Sequence, residues 1–288
     1  MDPHLLRTLV AVARWGSFSA AAEELGYTQS AVSQQIAALE ADLGLPLLHR
    51  RPVVPTEAGA RLLEHAGPLL LRVEAARADV RRAAAAPAHR LTVAASPLSV
   101  TPSIAGRLAR ARAAHPRLDL TLVTFDRDKV AGEVAAGRAD LGMADGIAAP
   151  NDPLRLPDVG PLTAVGIAEE NLLVALPAGH PLADRAGLRL ADLVDAVWLQ
   201  TTLCPLERLR DLLGDGFRPG LAYTGDDVHT VLNLVEAGHG LTLLPASVGH
   251  GVPVVAPRLS HRVELLHGTL PPGPAAAVAA ALSPSPAG

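Results

Sequence analysis

Two patterns of hydrophobic and polar positions divide the chain. From residue 4 to residue 83, apolar side chains recur three or four positions apart, which is the spacing of one helix face. From residue 91 onward, short apolar runs alternate with helical stretches, as in βαβ units around a parallel-type sheet. The pattern therefore predicts a helical N-terminal region followed by an α/β region.

The N-terminal pattern predicts three helices, of which the second and third are joined by a tight turn. Residues 4–14 form the first helix, and Ser17 or Ser19 caps the second. Gly26 suits the end of the second helix because it takes positive φ without steric cost. Thr28 caps the third helix, whose apolar stripe consists of Val32, Ile36, Leu39 and Leu43.

The start of the third helix carries uncharged polar side chains opposite the apolar stripe. Amide and hydroxyl groups there can bond to base edges in the major groove, which is typical of a helix-turn-helix recognition helix. We predict base contacts from Gln29, Ser30, Ser33 and Gln34. Contacts that position the DNA backbone are predicted for Thr28, Gln35, Arg50 and Arg51.

Residues 45–56 contain two short extended pieces flanked by prolines, which predicts the hairpin wing of a winged domain. Arg50 and Arg51 then lie beside the recognition helix, although solvated loop arginines are an alternative. Within residues 1–58, four arginines against six carboxylates give a formal charge of −2. Because phosphate neutralisation supplies much of DNA affinity, one copy alone is expected to bind poorly.

A long helical pattern begins at Thr56 and contains a heptad seam over three repeats. The seam residues are Leu62, Ala66, Leu69, Val73, Ala76, Val80 and Ala83. Such a seam needs a partner, either a second subunit or the helix's own domain. Proline deletes a helical hydrogen bond, so we predict a kink or local break near Gly67–Pro68.

The second region contains short predicted strands separated by predicted helices. The strands are residues 91–95, 118–124, 139–143, 172–176, 197–200, 221–224, 241–244, 252–255 and 263–267. The helices are residues 101–114, 126–137, 206–213, 227–237 and 275–282. Residues 84–88 are expected to form a hinge-like linker, and residues 283–288 a frayed tail.

The N-terminal residues resemble the signature of LysR-type transcriptional regulators. The matching positions are Ser17–Ser19, Ala21–Ala22, Thr28–Ser33, Ile36, Leu39–Glu40, Leu43–Gly44, Leu47, Arg50, Thr56 and Ala58–Gly59. Weaker matches follow at His115–Pro116, Gly137, Asp140–Gly142, His180–Leu182, Gly238, Gly240 and Leu244–Pro245.

The resemblance implies a winged helix-turn-helix DNA-binding domain (1–58), a dimerisation linker helix (59–88) and an effector-binding domain (89–288). The last is expected to have two α/β lobes similar to periplasmic binding proteins. Lobe I would comprise about 89–162 and 259–288, and lobe II about 163–258. The chain would cross between the lobes near 163–167 and return near 257–260.

Polar side chains follow several predicted strands, where a crevice between two lobes would take a ligand. They are Ser96, Ser99, Thr101, Thr201, Thr202, Thr224 and Asp226. Hydroxyls and free N–H groups at helix N-termini suit a small anion such as a carboxylate. Alternatively, Ser99, Thr101 and Asp226 cap their own helices, and Asp226 with Asp227 leaves the effector's charge open.

The remaining composition gives no sign of catalysis. Cys204 is the single cysteine, so no intramolecular disulfide can form, and a buried small hydrophobe is expected rather than a redox sensor. Trp198 is expected in the core. The sequence has no zinc-ligand spacing, G-x-S-x-G, P-loop or G-x-G-x-x-G, so we expect no enzyme activity, metal or cofactor.

No signal peptide or membrane span is visible in the sequence, so a cytoplasmic protein without membrane partners is expected. The prediction is a ligand-responsive regulator that binds double-stranded DNA as a homodimer or homotetramer. Two alternatives remain. One is a DNA-binding regulator without an effector, whose lobes serve only oligomerisation. The other is a solute-binding or enzymatic α/β protein with an incidental N-terminal helical domain.

Overall fold

The computed structural model describes residues 1–84, 90–214 and 216–284. It divides into an N-terminal unit, Met1–Arg81 with Ala135–Gly137 and Asp158–Pro161, and a C-terminal unit that contains the rest. Most of the predicted hinge (85–88) and the end of the predicted tail (285–288) lie outside the described residues. Within the described chain, no helix has the length and apolar character of a membrane span.

The N-terminal unit contains the predicted helices and hairpin. Its elements are α1 (Pro3–Trp15), α2 (Phe18–Leu25), α3 (Gln29–Leu43), β1 (Leu48–Arg50), β2 (Val53–Pro55) and α4 (Glu57–Ala84). Ser17 Oγ accepts from Ala20 N and Thr28 Oγ1 from Ala31 N, so both predicted caps form. Gly26 ends α2 in the left-handed conformation, with φ 70°.

One apolar core joins α1, α2, α3, the wing and the start of α4. Its buried members are Leu6, Leu9, Ala11, Val12, Ala21, Ala22, Val32, Ile36, Leu39, Leu47, Leu48 and Ala66. Leu43 differs from the prediction because its side chain is 39% exposed. It is the last residue of α3, and Gly44 ends the helix there, so the buried stripe stops at Leu39.

Helix α4 continues through Pro68, so the predicted local break is wrong, and the alternative of a kink stays a prediction. A proline normally clashes with the Cβ of the preceding residue, but Gly67 has none. Both residues are exposed, so water can reach the carbonyl that Pro68 leaves without a donor.

The heptad seam of α4 divides into two parts. Ala66 is buried in the N-terminal core and Leu62 packs against it. Further along, Leu69 is 39% and Val80 71% exposed, and Ala76 is also exposed. The side chain of Ala83 lies outside the described residues. The early seam is therefore covered by its own domain, whereas the later seam presents apolar side chains to solvent.

Lobe I of the C-terminal unit is built on a mixed sheet with the order β4-β3-β5-β12-β6. Its strands are β3 (Arg90–Ala95), β4 (Asp119–Thr124), β5 (Leu141–Ala148), β6 (Thr163–Ala175) and β12 (Ser260–His267). Strands β3, β4 and β5 run parallel, and β12 is antiparallel to its neighbours. The helices of this lobe are α5 (Pro102–Ala114), α6 (Arg127–Ala135) and α9 (Pro274–Leu282).

Lobe II uses the end of β6, against which β10 (Thr242–Pro245) and β11 (Val252–Ala256) pair antiparallel. Strand β7 (Leu188–Arg189) runs parallel to β11 and precedes a 3₁₀ turn, Leu190–Leu193. The lobe also contains β8 (Val197–Thr201), α7 (Leu206–Leu213), β9 (Arg218–Tyr223) and α8 (Val228–Glu236).

Strand β6 belongs to both lobes. Residues 163–171 pair with β12, and residues 172–175 pair with β10. The first crossing, expected at 163–167, therefore comes later, at Asn171–Leu172. The chain leads from β11 to β12 through residues 257–259, and the bounds of the two lobes stay a prediction.

Cys204 and Trp198 both lie in the core of lobe II. Cys204 is 2% exposed, and burial raises the pKa of its thiol to about 11. Trp198 is fully buried, donates from Nε1 to Leu193 O (3.0 Å) and contacts Phe217 edge-to-face. The thiolate, which is the reactive form of cysteine, is thus strongly disfavoured at neutral pH.

Gly59 provides a test of the contact between α4 and the wing. A Cβ at this position would lie 2.0 Å from the carbonyl oxygen of Leu47. Alanine usually stabilises a helix relative to glycine, but here the clash forces the backbone to move. We expect Gly59→Ala to lower the free energy of unfolding by about 1–3 kcal/mol, measured by urea denaturation.

Gly106 is the matched control, because it lies inside α5 and a Cβ there meets only Arg110 Nη1 at 3.8 Å. Gly106→Ala should therefore raise stability by about 0.5–1 kcal/mol. Equal stabilisation by both substitutions would show that α4 and the wing do not approach as closely as described.

Cys204 predicts a pH dependence of stability. Its pKa is raised from 9.0 to about 11 in the fold, so the native state holds the proton more tightly. The resulting stabilisation is complete below pH 9 and lost as the pH rises towards 11, by about 3 kcal/mol in total. Because Cys204→Ala lacks this contribution, the stability difference between the two proteins should narrow between these pH values in urea titrations. A constant difference would contradict the buried protonated thiol.

Candidate nucleic-acid interface and ligand cleft

The N-terminal turn of α3 presents the predicted base-contacting side chains. Gln29, Ser30 and Gln34 are exposed, and Ser33 is half-buried beside them. Thr28 has two local bonds, because its Oγ1 accepts from Ala31 N and lies 3.0 Å from Ser30 Oγ. The structure thus places these five side chains at the N-cap and in the first two turns of a single helix, whose first turn carries no acidic residue.

Gln35 has a different environment from the other predicted residues of α3. It is half-buried, and its Oε1 accepts a hydrogen bond from Thr8 Oγ1 at 2.6 Å. Since Thr8 belongs to α1, this bond helps to fix the rotation of α3 about its axis. The amide nitrogen of Gln35 is the donor that can reach an outside acceptor.

Glu40 ties the wing to α3. Its Oε1 accepts from the backbone N–H groups of Leu47 (2.9 Å) and Leu48 (3.3 Å). Its Oε2 accepts from Arg50 Nη2 at 2.9 Å. The Arg50 guanidinium also lies 5.0 Å from the Phe18 ring centroid. Arg50 is therefore oriented by the protein while 48% of its side chain stays exposed.

Arg51 lies at the tip of the hairpin and is exposed. The antiparallel pairing of Arg50 with Val53 brackets this tip. Among the described residues, Arg51 forms no ion pair, so its charge is available to an anionic partner. Elsewhere in this unit, Glu24 pairs with Arg14 at 3.3 Å, which neutralises one of the acidic groups.

A cleft of about 670 Å³ lies within the C-terminal unit, at the carboxyl ends of β3, β4 and β8. Its lobe I lining consists of Pro97, Leu98, Asp126, Arg127, Asp128, Lys129, Asp145, Gly146, Ile147, Arg155 and His261. Its lobe II lining consists of Thr202, Leu203, Pro205, Glu207, Arg208, Asp211, Leu243 and Pro245. This location is the general ligand position of open α/β sheets.

A buried chain of polar groups lies at the base of the cleft. Asp145 and His261 are on the adjacent strands β5 and β12, and His261 Nε2 lies 3.2 Å from Asp145 Oδ2. Ser96 Oγ donates to the other oxygen, Asp145 Oδ1, and accepts from Asp145 N at 2.8 Å. His261 does not contact Ser96 through these bonds, so the arrangement lacks the nucleophile–base contact of a hydrolase triad.

The rim of the cleft carries charges of both signs. Lys129 Nζ pairs with Asp126 at 2.5 Å within lobe I. Arg208 Nη2 reaches across the cleft from α7 to Asp128 Oδ1 at 3.5 Å. Such partly exposed pairs contribute little to stability, so the contact can break without a large cost.

The predicted effector-binding residues are spread over different environments, and of the seven only Thr202 lines the cleft. Ser96, Ser99, Thr101 and Thr201 are buried. Each is bonded within its own lobe: Ser99 Oγ donates to Ser96 O, Thr101 caps α5, and Thr201 accepts from Cys204 N.

Thr224 and Asp226 are exposed and lie outside the cleft lining. Asp227 rather than Asp226 caps α8, and its bond from the Thr230 hydroxyl lowers the pKa of its carboxyl group. Sequence patterns missed Arg127, Asp145, Arg155 and His261. For β12, the apolar run 263–267 predicted the strand, but this run begins two residues after His261 and so did not include it.

A second, larger cavity of about 920 Å³ lies near the crossing strands. Glu169 and Glu170 line it, but Glu169 already accepts from Ser260 Oγ and pairs with Arg262, and Glu170 accepts from Ser247 N. Both carboxylates thus already have partners, whereas the 670 Å³ cleft lies at the carboxyl ends of β3, β4 and β8, so we take the cleft as the candidate ligand site. Among the described residues, no three His, Cys, Asp or Glu side chains are placed to hold a metal ion.

Two family descriptions match the chain in succession. Residues 3–60 match the helix-turn-helix of bacterial regulatory proteins of the lysR family, and residues 84–282 match the LysR substrate binding domain. The probable hydrogen peroxide-inducible genes activator of Mycobacterium avium is 34% identical over 264 residues, which cover 88% of this chain and 79% of that protein. The probable cat1 operon transcriptional activator of Acinetobacter lwoffii is 31% identical over 86% of this chain and 81% of that protein.

Solved structures agree with this division. The crystal structure of CbnR, a LysR family transcriptional regulator, is 25% identical with a TM-score of 0.54, covering 98% of this chain and 100% of that one. Full-length CbnR complexed with its target DNA is 26% identical with a TM-score of 0.53, covering 98% of both chains. The chain therefore belongs to the LysR family of bacterial helix-turn-helix transcriptional regulators.

Proposed function

We propose that this protein regulates transcription by binding operator DNA as a homodimer or homotetramer and changing its arrangement when a small effector enters the cleft. The observation that carries the DNA-binding part is the exposed, uncharged polar turn at the start of α3, with the wing held beside it by Glu40. A helix in the major groove needs such groups at its N-terminal turn. The CbnR–DNA complex, whose chain resembles this one over 98% of its length, supports the same partner.

In this proposal, Gln29, Ser30, Ser33 and Gln34 contact bases. Thr28, Gln35, Arg50 and Arg51 contact the DNA backbone, and the guanidinium of Arg50 is oriented for that contact by Glu40. The exposed part of the α4 seam pairs with a second copy of the chain. Pairing matters because one N-terminal domain has a net charge of −2 and is expected to bind DNA weakly. Two domains that bind the same DNA together then supply most of the affinity.

The effector part rests on the cleft and its breakable rim pair between Arg208 and Asp128. A ligand can shift the protein between two arrangements only by its different affinity for each of them. A cleft lined by elements from both lobes provides that difference, since its dimensions change when the lobes move. The alternative is that the lobes serve only oligomerisation. In that case we would expect the protein's own side chains to fill the cleft, whereas about 670 Å³ of it is open.

Peroxide sensing through a cysteine is not part of this proposal, despite the name of the M. avium relative. Oxidation begins with an accessible thiolate, and Cys204 is buried with its pKa raised to about 11. We further propose a cytoplasmic protein without enzymatic activity. This is supported by relatives that are transcriptional regulators and by the absence of hydrolase-type geometry at Ser96.

The recognition helix can be tested by replacing Gln29 and Ser33 with alanine. They lie in successive turns at the start of α3, and Gln29 is exposed and Ser33 only half-buried, so the fold should persist. Each lost base contact costs about 1–3 kcal/mol, so the loss of two should lower operator affinity by a factor of about 30 or more in footprinting or fluorescence anisotropy. Binding to unrelated DNA should change little.

Glu64→Gln is the control for this experiment, because Glu64 is exposed on α4 outside the recognition helix. It should bind the operator as the unchanged protein does. An unaltered footprint from the Gln29→Ala/Ser33→Ala protein would reject α3 as the sequence-reading helix.

The exposed seam predicts the self-association surface. Val80→Asp places a carboxylate where an apolar side chain is now 71% exposed, and burying it against a second copy would be costly. Sedimentation velocity should then show a shift from oligomer to monomer. Ala60→Asp makes a similar change at an exposed α4 position outside the seam and should leave the assembly intact. An unchanged oligomer in Val80→Asp would count against this pairing.

A further inference from the structure

Thr8 is a buried polar side chain on the apolar face of α1. It is 1% exposed, and the other buried residues of this helix are all apolar, namely Leu6, Leu9, Ala11 and Val12. Valine has the same branched shape without the hydroxyl, so packing alone does not call for threonine here. The hydroxyl group itself therefore needs an explanation.

The Thr8 hydroxyl has one proton and two acceptors within reach. Its Oγ1 lies 3.1 Å from His4 O in the same helix and 2.6 Å from Gln35 Oε1 on α3. A threonine inside a helix usually bonds to the carbonyl four residues before it, which here is that of His4. The shorter contact crosses to the other helix, so the proton is directed mainly at Gln35.

This bond decides which end of the Gln35 amide faces outward. A glutamine amide carries an accepting oxygen and a donating NH₂ group on the same carbon atom. With Oε1 turned towards Thr8, the NH₂ group points away from Thr8, and the side chain is only half-buried. In the reversed orientation the oxygen would face outward, where it would repel the oxygens of a phosphate instead of donating to them.

We propose that Thr8 is a positioning residue of the DNA interface, whose hydroxyl holds the Gln35 amide with its NH₂ group directed at a DNA phosphate. Thr8 is too deeply buried to touch DNA itself. Its role rests on the proposed function, in which Gln35 contacts the DNA backbone. Because a phosphate contact carries no sequence information, Thr8 should matter equally for operator and for unrelated DNA.

Removal of the hydroxyl tests this role. In Thr8→Val, the orientation that donates to phosphate leaves Gln35 Oε1 against a methyl group without a donor, which is unfavourable. DNA affinity should therefore fall by about three- to tenfold. The measurement is fluorescence anisotropy of the full-length protein with the operator duplex and with a duplex of the same length and scrambled sequence.

Two further variants accompany Thr8→Val. Thr8→Ser keeps the hydroxyl and should restore the affinity of the unaltered protein. Thr242→Val makes the same exchange at an equally buried position on β10 in the C-terminal unit, and it should leave DNA binding unchanged. If Thr8→Val unfolds more readily in urea, Thr8→Ala replaces it, because alanine also lacks the hydroxyl and suits a helix.

Variants of Gln35 separate amide orientation from a general effect on the fold. Gln35→Ala should weaken binding by about tenfold, and adding Thr8→Val to it should change affinity by about twofold or less. Gln35→Glu keeps an acceptor for Thr8 but turns a carboxylate oxygen outward. It should weaken binding to both duplexes at least as much as Gln35→Ala does.

The outcomes distinguish the role of Thr8 from the proposed backbone contact of Gln35. If both Gln35 variants bind DNA normally, the backbone contact is wrong and the role of Thr8 falls with it. If they bind weakly while Thr8→Val binds normally or more tightly, the backbone contact stands and the role of Thr8 is wrong. A Thr8→Val protein that loses operator binding but keeps its affinity for the scrambled duplex would also reject it, since a misplaced α3 and not the amide would then be responsible.

Discussion

The C-terminal unit depends on the backbone hydrogen bonds of one strand, β6. Its first part belongs to the sheet of lobe I, and its last residues belong to lobe II. Because the same extended segment is bonded on both sides of the crossing, the base of the cleft has a fixed framework on which the loops of both lobes converge. The polar chain from Ser96 through Asp145 to His261 lies at this base. Its geometry therefore follows from sheet register.

Local signals were sufficient to predict the N-terminal unit. The caps at Ser17 and Thr28 depend on a side chain and an N–H group three residues away, and Gly26 depends only on its own φ. An apolar stripe with helical period then decides which face of α3 packs. The expected break at Pro68 was wrong, since a general rule about proline was applied without allowing for the glycine before it.

The ligand cleft could not be predicted in the same way, because its groups meet only through pairings between distant residues. Asp145 and His261 are separated by 116 residues and meet because β5 and β12 are antiparallel neighbours. The start of β6 was missed since Glu169, Glu170 and Asn171 interrupt its apolar pattern, although its backbone pairs throughout. Hydroxyl side chains that follow strands often lie in ligand-binding loops. Here most of them form hydrogen bonds with backbone groups of their own lobe instead.

Glu40 has a consequence for what regulation can change. One carboxylate receives the first N–H groups of the wing and the arginine at its edge, which adds a polar connection to the apolar core that the wing and α3 share. A conformational change that reaches this domain from the rest of the chain therefore moves α3 and the wing together and leaves their mutual geometry unaltered. In a paired assembly, the ligand would thus alter the distance or angle between two half-sites, while the bases recognised within each half-site stay the same.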